Sequence, residues 1–223
     1  MNKLIPFLFL TILFSCYSRQ KQKVLDKWEN GNNKLVLTYD NLDDTLTYLR
    51  EFFHENGQLG TKGHFINGKQ NGLWEWWYEN GQKKDEATIK QGIYIGQRKH
   101  WFENGSLKQV EIISGECLGE CCDGQVINYY ENGQIEDEST RINGQTIGQY
   151  VYYYDNGQKM KEVYFSASIK DGKYCEWYKD GTKWVEGSYK ADERDSVWTW
   201  FTTTGTIKSI KLYKEGEFIR DLK

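Results

Sequence analysis

An all-β fold, an elongated antiparallel sheet of tandem β-hairpin repeats, is what the sequence predicts, and three observations carry that expectation. The phrase Trp77-Tyr78-Glu79-Asn80-Gly81-Gln82 recurs as Phe53-His54-Glu55-Asn56-Gly57-Gln58, Trp101-Phe102-Glu103-Asn104-Gly105, Tyr129-Tyr130-Glu131-Asn132-Gly133-Gln134 and Tyr153-Tyr154-Asp155-Asn156-Gly157-Gln158. It decays to Trp177-Tyr178-Lys179-Asp180-Gly181 and Phe201-Thr202-Thr203-Thr204-Gly205. Its glycines are spaced 24, 24, 28, 24, 24 and 24 residues apart, and a fixed short period is the signature of a repeat architecture. Finally, aromatic-rich runs alternate with Asn-Gly corners, the pattern of strands joined by tight turns.

The chain opens on a different kind of segment. Lys3 supplies a short positive region and residues 4–14 an apolar run, so residues 1–15 read as a signal peptide. Leu13-Phe14-Ser15-Cys16 resembles a bacterial lipobox, in which the cysteine is lipidated and becomes the mature N-terminus; the competing reading is an ordinary secretory signal. Residues 16–27 are then a lipidated cysteine and a polar tether, residues 28–213 a single domain of about eight repeats, and residues 214–223 a charged tail. Without Lys3 the balance is 28 basic against 32 acidic residues, a net charge of −4. That balance, with no basic stripe, excludes nucleic-acid binding as the main task.

Within one repeat, residues 73–78 (Leu-Trp-Glu-Trp-Trp-Tyr) suit a half-buried strand, and Asn80-Gly81 is a signal for a type I′ turn. Residues 82–89 return, and Lys90-Gln91-Gly92 turns the chain into the next copy. Three columns align on the turn glycine. Four before it stand Phe53, Trp77, Trp101, Tyr129, Tyr153, Trp177 and Phe201; eight after it, apolar or aromatic residues except Arg141; nine before it, a recurring glycine that becomes Ser196 in the last copy. An isolated hairpin is marginal in water, so neighbours must shelter each other's rings. About sixteen strands at ~4.8 Å give a sheet ~75 Å long. The region around residues 40–49 departs from the pattern and reads as a capping unit, while the threonine-rich 202–204 reads as a polar terminal edge.

The phrases at residues 67–82 and 170–181 resemble MORN repeats, and more closely the bacterial MORN-repeat-variant proteins labelled YwqK-type antitoxins. The resemblance covers about residues 28–215. It implies a sheet of hairpins with aromatic and glycine ladders, used for binding or scaffolding, and the antitoxin label implies neutralisation of a partner.

Candidate sites are few. The spacing of 28 marks a four-residue insertion that holds Cys117, Cys121 and Cys122. Outside the cytoplasm a Cys117–Cys121 or Cys117–Cys122 bridge is the leading reading, against free thiols or a metal site with Glu116, Glu120 and Asp123. Cys175 reads as a small buried hydrophobe. His54, His64 and His100 lie in separate copies with no nucleophile at a suggestive spacing, and the repeated Glu55, Glu79, Glu103 and Glu131 form a turn row rather than a hydrolase pair. Alternation sends Trp74, Trp76 and Tyr78 to the face opposite Trp77, with Tyr150, Tyr152, Tyr154, Trp198 and Trp200 repeating the choice, so these eight are the expected binding face.

The function expected from this is a non-catalytic, lipid-anchored envelope protein, on the outer membrane of a Gram-negative bacterium, that binds another protein and needs no cofactor or metal. The alternatives are a glycan- or peptidoglycan-binding accessory protein and an antitoxin or immunity protein.

Overall fold

A computed structural model describes residues 20–117 and 122–223; the expected signal segment, Cys16 and Cys121 lie outside the described residues. The strands are β1 (Lys21–Lys27), β2 (Asn33–Tyr39), β3 (Tyr48–Phe53), β4 (Leu59–Ile66), β5 (Lys69–Trp77), β6 (Lys83–Lys90), β7 (Ile93–Trp101) and β8 (Leu107–Ile113). Beyond the insertion follow β9 (Gly124–Tyr129), β10 (Ile135–Ile142), β11 (Gln145–Tyr153), β12 (Lys159–Ser166), β13 (Ile169–Trp177), β14 (Lys183–Lys190), β15 (Glu193–Phe201), β16 (Ile207–Lys214) and β17 (Glu217–Asp221). The strand pairings all join chain neighbours, and all are antiparallel. The result is one open 17-stranded meander, as the repeat pattern predicts.

Both ends are more ordered than the sequence suggested. Lys21–Lys27, expected within the polar tether, pairs with β2, and Glu217–Asp221, expected within a charged tail, pairs with β16. An edge strand needs only one partner, so polar composition does not stop it forming. The threonine-rich corner is correspondingly not an edge: Thr202 Oγ1 lies 2.8 Å from the hydroxyls of both Thr204 and Thr206, and β16 and β17 follow.

The two kinds of turn are distributed differently from the expectation. At Asn80-Gly81 only the glycine has positive φ (83°). Gly81 N–H donates to the Tyr78 carbonyl at 3.0 Å and Tyr78 N–H to the Gln82 carbonyl at 2.9 Å, which is a three-residue loop with the glycine in a G1 bulge. Asparagine is wanted here for its side chain, whose Oδ1 accepts from Gln82 N–H at 2.9 Å. The type I′ turns sit at the opposite end of the hairpins, where both central residues have positive φ: Asn67-Gly68, Gln91-Gly92, Asn143-Gly144, and also Ala167-Ser168 and Ala191-Asp192.

Two ladders tie each copy to the next. The Asn80 Nδ2–H donates to the Glu103 carbonyl at 2.9 Å, as Asn30 does to Glu55, Asn56 to Glu79, Asn132 to Asp155 and Asn156 to Lys179. One position earlier than the Glu, the Tyr78 hydroxyl donates to the Trp101 carbonyl at 2.8 Å, with Tyr130 to Tyr153 and Tyr154 to Trp177 alongside. The Trp28 indole N–H and His54 Nε2 fill the same role toward Phe53 and Trp77. A carbonyl can only accept, so His54 carries its proton on Nε2 in this contact. Each tie contributes on the order of 1 kcal/mol.

Packing stays within one layer: substantial strand contacts join only chain neighbours, so among the described residues no second sheet covers either face. Seven rings from Phe53 to Phe201 line one face, here the ladder face, all half-buried. Lysines reach between them: Lys83 Nζ lies 2.7 Å from both Glu75 and Glu86 and 5.6 Å from the Trp101 ring centroid. Lys183 repeats the arrangement with Glu186 and Phe201. The glycine column nine before the turn is a bulge, where β5 slips register between Gly63 and His64 and Gly72 adopts φ 81°. Ser196 holds that backbone state at φ 63° without the freedom of glycine.

On the opposite face Trp74 lies flat over Gly63 and Trp198 over Gly187; a Cβ at residue 187 would sit 2.3 Å from Trp198 Cδ2. Gly187→Ala is therefore expected to lower stability by about 2–3 kcal/mol and Ser196→Gly to raise it by about 1 kcal/mol. Urea unfolding followed by tryptophan fluorescence measures both; an unchanged midpoint for Gly187→Ala would contradict the close packing described.

Candidate functional site

The expected binding face does not survive whole. Trp74 and Trp198 are each 1% exposed, so they are core, not contact surface. Their indole N–H groups donate to the His64 and Ser188 carbonyls, and rings enclose them: Phe65 and Trp76 around Trp74, Tyr174, Tyr189 and Trp200 around Trp198. A ring laid over a glycine can sink to the backbone, which alternation alone did not reveal. Tyr78 and Tyr154 are committed to the inter-repeat ladder, and Tyr150 donates to Asp137 Oδ1 at 2.9 Å while stacking on Tyr152 at 4.3 Å. Trp76, Tyr152 and Trp200 remain half-buried with ring surface to offer.

Those three share one row. Register pairs run Trp76 to Asp85, Asp85 to His100, His100 to Gln109, Gln109 to Asn128, Asn128 to Asp137 and Asp137 to Tyr152, continuing through Lys161, Glu176 and Val185 to Trp200. Five successive polar side chains thus lie between aromatic blocks. Gln109 Nε2–H donates to Asn128 Oδ1 at 2.7 Å, and Asn128 Nδ2–H donates to Asp137 Oδ1 at 2.9 Å. His100 Nδ1 pairs closely with Asp85. Sequence reading missed this row because it followed the aromatic and glycine columns; the signal was present at the positions four after and five before the turn glycine.

The neighbouring row carries Arg98, Glu111, Val126 and Ser139, with Arg98 and Glu111 3.9 Å apart. Three buried polar atoms here have no hydrogen-bond partner: His100 Nε2, Glu111 Oε2 and Ser139 Oγ. A cavity of about 370 Å³ at the Gly148 bulge is lined in part by Val126, Ser139 and Val151. Burial, reinforced by Tyr152 and Asp137, pushes the Tyr150 hydroxyl pKa far up, so it acts as a fixed donor. Burial likewise raises the pKa of the Cys175 thiol, and the residue is 1% exposed, so it is no nucleophile. His64 is exposed, and His54 and His100 are engaged as described.

The insertion holds a Cys117–Cys122 disulfide, with Cα atoms 5.2 Å apart, one of the two expected bridges. Among the described residues no group of three His, Cys, Asp or Glu side chains is placed to hold a metal ion. Both ladders change character across this insertion. Phe102 has no hydroxyl to donate, and Asn104 Nδ2 reaches the Glu131 side chain at 3.3 Å instead of a backbone carbonyl. Substitutes span the gap: Tyr94 N–H donates to the Cys117 carbonyl at 2.9 Å and Asn143 N–H to Asp123 Oδ1 at 2.6 Å. The polar row thus crosses the junction that holds the insertion.

At the far end of the row, burial holds the Glu176 carboxyl above the usual carboxylate range, although Lys161 and Arg194 pull it down. The folded state therefore binds this proton more tightly than the unfolded chain. Its contribution to stability is complete below the unfolded pKa and is lost as pH rises through the raised folded value. Glu176→Gln should melt like the parent below about pH 4 and at a higher temperature than the parent at about pH 8; an equal shift at both pH values would contradict the burial effect.

Four stretches, residues 70–91, 123–143, 147–167 and 170–191, match the MORN repeat variant family. They cover β5 and β6 and then β9 to β14 almost without a break. A search of curated proteins finds no match to the chain.

Proposed function

We propose that these MORN-variant repeats form a non-catalytic protein-binding module, held at the cell envelope by a lipid on Cys16. Repeats of this family commonly serve as protein- or membrane-binding modules. The observation that carries the reading is the single open layer, which leaves half-buried rings on both faces with no sheet of its own to cover them. Trp76, Tyr152 and Trp200 are the anchors on the face that holds the polar row. Aromatic anchors among polar groups are the usual composition of an interface core. Catalysis is not supported, because repetition multiplies each residue type without bringing a nucleophile, a base and an oxyanion site together. The peptide-like address at residues 1–16 supports export and anchoring, and two or more acyl chains suffice for stable attachment.

Affinity purification of the full chain from detergent-solubilised envelope should return one stoichiometric protein. The double variant Trp76→Ala, Trp200→Ala should lose it while keeping the β-sheet circular dichroism spectrum. Retention on insoluble peptidoglycan without any protein partner would instead establish the glycan reading. Separately, Cys16→Ala should move the chain from the membrane to the soluble fraction, and continued sedimentation with membranes would rule out the lipid anchor.

A further inference from the structure

The two edges of the sheet, which lie apart from the binding face above, are not equivalent. With seventeen strands alternating in direction, the outermost strands β1 and β17 run the same way. A second copy added end to end would therefore lay its β1 parallel to β17, against an order that is antiparallel throughout. A two-fold axis normal to the sheet keeps the alternation instead. It pairs an edge strand with its own counterpart and leaves like faces on the same side.

β1 is defended against such pairing. It carries Lys21, Lys23 and Lys27 against one carboxylate, Asp26, which Lys34 holds at 2.9 Å, and edge lysines deter strand addition. β17 is built the other way. Phe218 and Ile219 are 51% and 49% exposed, and Leu222 just past them 45%. One flank of Phe218 rests on Tyr213, with ring centroids 5.9 Å apart, so the train of rings from Trp198 through Tyr213 runs out to the edge and stops there. Leu222 N–H donates to the Ile210 carbonyl and Ile210 N–H to the Lys223 carbonyl, which holds the edge in place to its last residue.

A bulge gives this edge its specificity. Glu217 lies opposite Lys214 and Phe218 opposite Tyr213, but the register then slips by one and Arg220 lies opposite Leu212. Cross-strand partners share a face, so Glu217 and Arg220, three apart, project to one side of the sheet and Phe218 to the other. A two-fold axis through Phe218 sets this ring against Phe218 of the second copy. It also sets Glu217 against Arg220 of the second copy, twice by symmetry. We propose that the chain forms a two-fold dimer in which β17 pairs antiparallel with β17 of a second copy, joining the two sheets into one.

The edge is short, so the dimer is weak and its population rises with concentration. Sedimentation equilibrium of the full chain in density-matched detergent should show the mass climbing from one chain to two and no further. Glu217→Arg and Arg220→Glu each turn both contacts into like-charge pairs, and each should weaken association about ten-fold with an unchanged circular dichroism spectrum. Mixing the two variants sets arginine against glutamate at both contacts and should restore the dimer. A single-chain mass at every concentration, a series that climbs past two chains as β17 adding to β1 would give, association indifferent to the substitutions, or no restoration on mixing would overturn the proposal.

Discussion

The whole sheet depends on a carboxamide that works in two directions. At Asn30, Asn56, Asn80, Asn132 and Asn156 the residue before the turn glycine accepts a backbone N–H with Oδ1 to fix its own corner and donates with Nδ2 to the carbonyl of the next corner. No hairpin here could stand alone, because a two-stranded ribbon cannot bury an indole and the described residues form no second layer to help. The tie between corners sets the distance and register at which neighbouring rings cover each other. Where the residue type changes, the ladder stops: Asp180 still accepts from Thr182 N–H at 2.8 Å but has no N–H to pass on. The same copy is where the repeated phrase begins to decay.

Much of this was legible because period and geometry coincide. A residue column in the alignment is a physical column in the sheet, so the glycine spacing located every hairpin from Gly57 on. The finer assignments failed where one residue type serves two purposes. Asn-Gly satisfies both a type I′ turn and a G1-bulged loop, and only the asparagine hydrogen bonds distinguish them. Trp74 and Trp76 alternate identically along β5, yet one is core and the other half-open, because Gly63 opposite Trp74 removes the Cβ that would hold its ring away from the backbone.

The polar row was hidden for a related reason. Repeat analysis rewards positions that stay the same, whereas Asp85, His100, Gln109, Asn128 and Asp137 occupy two columns, four after and five before the turn glycine, whose residue types vary from copy to copy. Their meaning lies in lateral adjacency, which appears only once register pairs them. The four-residue insertion is similar: length alone marked it, and the structure shows how Cys117, Cys122, Asp123 and Glu131 restore by other contacts what the ladders lose there.

The open meander also has a consequence for how such a molecule changes over generations. Each strand leans on the two beside it in sequence, so a duplicated or deleted block of 24 residues leaves every remaining junction as it was. Length can thereby change without redesign of the junctions that remain, and the sheet can be adjusted by unequal recombination in whole increments, as a ruler is extended by adding graduations.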